Sequence, residues 1–199
     1  MEDFSIITKV LDRYFDFCTE PGEEYSLADM TEFIPEMLLD RSKPEDENGY
    51  SFWLPVKSEV TESHLSEFEM LLKHPLPGSY KYFLQQRYFL QLFLDADIDF
   101  FSNLPELLAK EFKEKIEVYY PELPARNYLP FASYRDYGVL AFDANKNALD
   151  NEYEIVMLDH EDGYKSTVFY AGNFISVFQQ IDKKLDEKIE QITNYRDNS

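Results

Sequence analysis

The feature that most limits the fold is a series of four short runs in the last third of the chain, each rich in β-branched and aromatic residues. Asp, Asn and Gly separate these runs, and such residues favour tight turns. Short runs of this kind at close spacing predict consecutive strands that pair antiparallel through short connections. The four predicted strands are residues 128–132, 137–143, 153–159 and 167–171.

Helical patterns stand before and after these strands. Apolar residues recur with the period of an α-helix at 3–17, 26–39, 61–72, 107–119 and 174–192, and a further helix is expected to begin near Tyr80. Thr61 and Ser26 are suitable N-cap residues, whereas Pro35 predicts a kink or an early end in the second helix. Residues 87–94 fit either a helix or a buried strand.

The order of these elements indicates the fold class. Helices, then a strand cluster, then one helix predict an α+β fold, with helices packed on a mostly antiparallel sheet of about four to six strands. Residues 41–49 are polar and lack periodicity, so they are a predicted linker. We therefore expect an N-terminal helical extension at residues 1–50 and an α+β domain at residues 51–199, which includes the closing helix.

The charge balance limits the partners. The chain has 39 Asp and Glu against 19 Lys and Arg, a net charge of −20. A field of this sign repels phosphates and anionic lipids, so we expect no binding to nucleic acid or membranes and faster encounter with basic partners. The same charge is also consistent with solubility alone.

The start of the chain and its apolar runs indicate where the protein is located. Glu2 and Asp3 stand where a signal peptide would have basic residues, and no apolar run is long enough to span a bilayer, so a cytoplasmic protein is expected.

Motifs for catalysis and for cofactors are sparse, so the sequence predicts no cofactor and no enzyme. With Cys18 as the single cysteine, neither an intrachain disulfide nor a thiolate metal cage can form. The three histidines have no nucleophile elbow beside them, although His160 between two carboxylates is a candidate general base. Two stretches follow the ligand spacing of a calcium loop but lack its glycine, namely Asp95, Asp97, Asp99, Asn103 with Glu106, and Asp143, Asn145, Asn147 with Glu154.

Two segments together resemble the SUKH superfamily, which includes fungal regulators of cell-wall synthesis and bacterial immunity proteins against polymorphic toxins. The first segment spans residues 60–84 and contains the Leu76-Pro77 step, followed by a helix that starts at Tyr80 and ends in Phe83-Leu84. The second comprises residues 138–143 and 153–161, which are similar to the central strand pair of the family and its Asp-His-Glu end. The resemblance covers residues 52–182, although residues 85–89 replace the usual Asn-Gly-Gly step.

The resemblance implies a non-enzymatic protein-binding domain, and specifically an immunity protein that binds and blocks a cognate, basic toxin. We expect partner contacts at exposed aromatic residues and at the Asp-His-Glu rim, with Trp53, Tyr134, Asp136, Asp159, His160 and Glu161 as the candidates. Three alternatives stay open: a regulatory scaffold of cell-wall synthesis or another endogenous pathway, a small-ligand or calcium-binding domain, and an enzyme that uses His160.

Overall fold

Along the chain, helices come both before and after a region that is rich in strands. The computed structural model describes residues 3–20, 27–90, 92–95, 97–104, 113–146 and 152–197. In chain order the helices and strands are α1 (Ser5–Phe17), β1 (Ala28–Met30), β2 (Tyr50–Phe52), β3 (Val56–Lys57), α2 (Glu62–Leu72), α3 (Gly78–Leu84), β4 (Arg87–Tyr88), β5 (Leu92–Asp95), β6 (Ile98–Phe100), β7 (Tyr128–Tyr134), β8 (Gly138–Asp143), β9 (Ile155–Asp159), β10 (Thr167–Ala171) and α4 (Phe174–Asp197). None of the helices in the described ranges has the length and apolar character needed to cross a membrane.

Strands β5 to β10 form a six-stranded sheet in which each strand lies beside its neighbours in the chain, and every pair is antiparallel. Two small two-stranded sheets, β1 with β2 and β3 with β4, accompany it. The predicted α+β class is therefore confirmed. The predicted strands from residue 128 onwards are also confirmed, because runs of β-branched and aromatic residues with turn residues between them favour this meander.

Aromatic side chains fill the core between the sheet and the helices. Phe174 of α4 lies 5.2 Å from Tyr80 of α3 and 5.4 Å from Phe131 of β7, measured between ring centroids. Phe131 is also 4.5 Å from Phe142 of β8. Since all of these rings are buried, the helices fix the central strands in position and hold their ends rigidly.

Helix α1 packs against α4. Its apolar face, which includes Ile7 and Val10, belongs to the same buried cluster as the sheet. On the polar side, Lys9 Nζ lies 2.8 Å from Asp182 Oδ2, and Arg13 pairs with both Asp182 and Asp186. The division of the chain into two parts at residue 50 stays a prediction. The ion pairs of Lys9 and Arg13 join α1, in the first of these parts, to α4 in the second.

The helix predicted at 26–39 is wrong over the described residues. Residues 28–30 form β1, and a 3-10 turn follows at Thr31–Phe33. The backbone of Leu27 and of Leu38 instead bonds the segment around Trp53, because Trp53 N–H donates to Leu27 O and Leu54 N–H to Leu38 O. Pro35 has no N–H to donate to Thr31 O, so a helix through this segment would be interrupted there, and pairing with residues 50–54 satisfies the backbone groups on either side instead. The expected cap, Ser26, lies outside the described residues.

Three other expectations have definite outcomes. Residues 87–94, which fitted either state, contain strands β4 and β5. Of the helix expected at 107–119, only 113–119 is described, and it is helical, with a π-helical segment at Lys115–Tyr119. The N-cap of α2 is confirmed, since Thr61 Oγ1 accepts the N–H of His64 at 3.4 Å.

Candidate functional site

Five of the six predicted contact residues lie at one end of the large sheet. Tyr134 and Asp136 belong to the hairpin between β7 and β8, and residues 159–161 end β9 and begin the next loop. The register places Gly138 opposite both Tyr134 and Asp159, and the N–H of His160 donates to Tyr137 O at 2.8 Å. We call this region, formed by residues 134–138 and 159–166 with Asp97 and Tyr170, the hairpin end.

Trp53, the sixth predicted residue, is not part of this surface. Its side chain is only 1% exposed, so the expectation that it is an exposed anchor is wrong. Its ring lies 6.3 Å from that of Phe15 in α1, which makes it part of the packing between the N-terminal helix and the segment after it.

Arg135 fixes the shape of the hairpin. Its backbone adopts φ 50°, a left-handed conformation that costs a non-glycine residue roughly 1–2 kcal/mol. Three hydrogen bonds hold it: its N–H donates to Asp97 O at 2.8 Å, its Nη2 to Asp97 Oδ2 at 3.1 Å, and its Nη1 to Tyr137 Oη at 3.3 Å. The hydrogen bond with Asp97, followed by that with Tyr137, raises the pKa of Arg135. The guanidinium therefore serves as a permanent clamp that positions the tyrosines.

Tyrosines form the apolar part of the hairpin end. The ring of Tyr134 lies 5.5 Å from that of Tyr170 in β10 and 6.4 Å from that of Tyr137, both edge to face. The Arg135 guanidinium stacks 5.2 Å from the Tyr134 ring centre. Tyr134, Tyr137 and Tyr170 are all half-buried, so each presents part of its ring and retains a fixed orientation. Such rings can bind a partner at low cost in conformational entropy.

The loop after β9 is ordered by its own carboxylates. Asp159 Oδ1 accepts the N–H of Glu161 at 2.7 Å, and Asp162 accepts the N–H groups of Lys165 and Ser166, each at 2.9 Å. Hydrogen bonds from Ser166, from its side chain first and then its backbone, lower the pKa of Asp162. Asp159 and Asp162 thus shape the loop, whereas the side chains of His160 and Glu161 are exposed and available to a partner.

The hairpin end carries excess negative charge. Two fixed cations, Arg135 and Lys165, stand against five carboxylates, which leaves a net charge of −3; the carboxylates are Asp97, Asp136, Asp159, Glu161 and Asp162. His160 has no nucleophile hydrogen-bonded to its ring among the described residues, so no catalytic pair is assembled there. The arrangement suits recognition of a basic surface better than proton transfer.

The two calcium-like stretches have structural contacts instead. Asn103 uses its amide to bond the backbone of residues 84, 87 and 89, and Asp97 pairs with Arg135. Lys146 lies between Asp143 and Glu154 and pairs with both. Within the described ranges, no group of three or more His, Cys, Asp or Glu side chains is arranged to hold a metal ion. Glu106, Asn147 and the side chain of Asp95 lie outside the described residues.

Among the residues of this site that sequence reasoning missed are Arg135, Asp97 and Tyr170. Arg135 lies in the β7–β8 hairpin, Asp97 lies between β5 and β6, and Tyr170 lies within β10, so only the folded sheet brings them together. The one available signal was the position of Arg135 in the predicted turn between the strands at 128–132 and 137–143, where charged residues are common for other reasons.

Comparison of the sequence with known proteins identifies the family of the chain. No curated protein gives a match to the chain. The model of the SMI1 / KNR4 family (SUKH-1) matches residues 59–180, which contain α2, α3, the whole six-stranded sheet, the hairpin end and the start of α4. Proteins of this family are in general non-catalytic and are known as immunity proteins. Because the match covers more than half of the chain and includes both segments in which the resemblance was found, the chain belongs to the SMI1 / KNR4 family (SUKH-1).

Proposed function

We propose that this protein is an immunity protein that neutralises a cognate toxin by binding it through the hairpin end. Membership of the SUKH-1 family supports a protein partner of this kind. The observation that carries the proposal is the convergence of the β5–β6 turn, the β7–β8 hairpin and the loop after β9 into one exposed, aromatic and acidic surface.

The two components of this surface have different roles in binding. Tyr134 and Tyr170 supply the apolar contact area that holds a bound partner, because buried aromatic anchors dominate the free energy of binding at most interfaces. Asp136 and Glu161, both exposed, attract a basic surface and so accelerate association more than they slow dissociation. Arg135 is a positioning residue that keeps the hairpin in its binding shape.

Coexpression with the product of each neighbouring gene, followed by measurement of growth arrest and its relief, identifies the toxin and tests the proposal. We expect the unaltered protein to protect the cell, and the Asp136→Lys, Glu161→Lys double variant to lose protection. The double variant should associate with the purified toxin at least about tenfold more slowly at low salt. A matched control is the Glu67→Lys, Glu187→Lys variant, which reverses two equally exposed carboxylates on α2 and α4 and should protect normally.

Several outcomes would contradict the proposal. An association rate that does not change with salt would remove the electrostatic part, and equal loss of protection in both double variants would remove the hairpin end as the binding surface. A pull-down that recovers only an endogenous regulatory protein would favour the scaffold alternative. His160→Ala removes the candidate general base, and loss of protection with unchanged affinity for the toxin would favour the enzyme alternative.

A further inference from the structure

A second surface lies in the segment that precedes the family match. Residues 27–30, 38–40 and 50–54 pair side by side, since Trp53 N–H donates to Leu27 O at 2.8 Å and Asp40 N–H donates to Phe52 O at 2.9 Å. We call these three stretches, with their connection at 31–37, the N-terminal platform. All of it lies before residue 59, where the match to the SUKH-1 family begins.

One face of the platform is apolar and exposed. Along residues 50–54 the side chains alternate, with Ser51 and Trp53 buried and Tyr50 and Leu54 exposed. Met30 lies directly opposite Tyr50 in the β1–β2 register, so these two side chains are neighbours on the exposed face.

The connection at 31–37 adds two more apolar side chains. Phe33 is 58% exposed and Met37 is 49% exposed. Five of the eleven large exposed hydrophobic residues in the described ranges therefore fall between residues 30 and 54. Exposed apolar side chains concentrated in one segment favour an interaction surface, and methionine side chains adapt readily to different partners.

The surroundings of this face are strongly acidic. Residues 27–54 contain seven carboxylates and two cations, a net charge of −5. Both cations are engaged within the platform, because Arg41 pairs with Glu36 and Lys43 Nζ lies 4.3 Å above the ring of Phe52. Glu32, Glu45 and Glu47 are exposed at the rim. A complementary partner is therefore both apolar and cationic.

The face is also formed in advance of binding. Asp46 Oδ1 accepts the N–H groups of Asn48 at 2.8 Å and Tyr50 at 2.9 Å, which orders the turn into β2. Thr31 Oγ1 donates to Gly49 O at 3.0 Å and so ties the connection to the same turn. A partner does not have to order these loops when it binds.

We propose that the N-terminal platform is a second docking surface, and that its occupant is a basic amphipathic segment of another protein. The apolar side of that segment contacts Met30, Phe33, Met37, Tyr50 and Leu54, and its lysines or arginines meet the acidic rim. None of these residues belongs to the hairpin end.

Three fluorescently labelled synthetic peptides test the proposal in anisotropy titrations with the whole protein. The first is a helix of about 18 residues with lysines on one side and leucines on the other. The second replaces its leucines with serine and keeps its charge, and the third replaces its lysines with glutamate and keeps its apolar side. At about 150 mM salt, we expect the lysine-leucine peptide to bind at least tenfold more tightly than either of the others.

Two double variants locate the binding site. Phe33→Ser with Met37→Ser should weaken binding of the lysine-leucine peptide about tenfold. Met70→Ser with Val118→Ser removes two apolar side chains that are more exposed, 71% and 67%, and should leave binding unchanged. All four residues are exposed, so unchanged melting temperatures verify that both variants fold. Tyr134→Ala should also leave peptide binding unchanged, which separates this surface from the hairpin end.

Defined results would overturn the inference. Equal binding of the lysine-serine peptide would reduce the effect to general charge attraction. Equal weakening in the two double variants would remove the N-terminal platform as the binding site. Equal binding of the glutamate-leucine peptide would remove the charge selection. A dimer in sedimentation experiments that Phe33→Ser with Met37→Ser abolishes would assign the surface to a second copy of this chain and would refute a basic partner.

Discussion

Replacing Asn103 with alanine should lower the free energy of unfolding by about 3 kcal/mol. The side chain of Asn103 is fully buried, and its Oδ1 accepts the N–H of Phe89 at 3.2 Å. Its Nδ2 donates to Leu84 O at 3.1 Å and to Arg87 O at 2.7 Å. Each of these three hydrogen bonds contributes about 1 kcal/mol net, and together they join α3, β4 and the residue after β4.

The partners of Asn103 are affected unequally by its removal. Leu84 O keeps the hydroxyl of Ser58, which donates to it at 2.7 Å, whereas the buried N–H of Phe89 loses the acceptor that Asn103 provided. Asn103→Asp should destabilise further at neutral pH, because a carboxylate oxygen would then face two carbonyl oxygens.

Urea denaturation followed by circular dichroism measures the effect. With a slope of about 2 kcal/mol/M, a loss of 3 kcal/mol lowers the midpoint by about 1.5 M without a change in slope. Gln180→Ala is the control, since it removes an exposed amide from α4 and should change stability by less than about 0.5 kcal/mol. A cost below about 1 kcal/mol for Asn103→Ala would refute the assignment of Asn103 as a structural clamp.

Three further predictions concern the hairpin end and α2. Gly138→Val should cost about 2 kcal/mol in urea denaturation, since a Cβ there meets the backbone oxygens Leu158 O at 3.2 Å and Tyr134 O at 3.3 Å, which cannot move aside as a side chain can; a neutral effect would contradict the tight contact. Thr61→Ala should cost about 1 kcal/mol through loss of the α2 cap, whereas Thr61→Ser should cost much less. The folded-state pKa of Asp162 lies below its ordinary value of 3.8, so its support of the loop is present above pH 3.8 and is lost as the pH falls through the lower, folded value. An NMR titration of the loop amides checks this, and a midpoint at or above 3.8 would refute it.

The elements that sequence reasoning located correctly are those whose signals are local. Strands β7 to β10 carry runs of β-branched and aromatic residues between turn residues, and α2 follows a capping threonine. The closing helix α4 has its apolar residues at helical spacing throughout. In each case the residues that produce the pattern are also the residues that form the element, so no distant contact was needed to predict it.

The errors have non-local causes. The pattern at residues 26–39 predicts a helix, but pairing with residues 50–54 decides the structure of the described part. Trp53 was expected at the surface, although both cores and interfaces favour large aromatic residues and composition does not separate the two. At the hairpin end, the adjacent Asp-His-Glu step and Tyr134 were found from sequence, whereas the Asp97–Arg135 clamp depends on strand order.

The packing of α1 on α4 has a consequence for the synthesis of the chain. Asp182 follows Arg13 by 169 residues, so α4 leaves the ribosome long after α1 itself. Trp53, the neighbour of Phe15, emerges much earlier, but at roughly 5–20 residues per second α1 waits on the order of 10 s before its contacts with α4 can form. During that interval part of the surface of α1 that is covered in the finished fold stays uncovered. The acidic residues around α1 then have a role before folding is complete, because like charges on nascent chains oppose their aggregation.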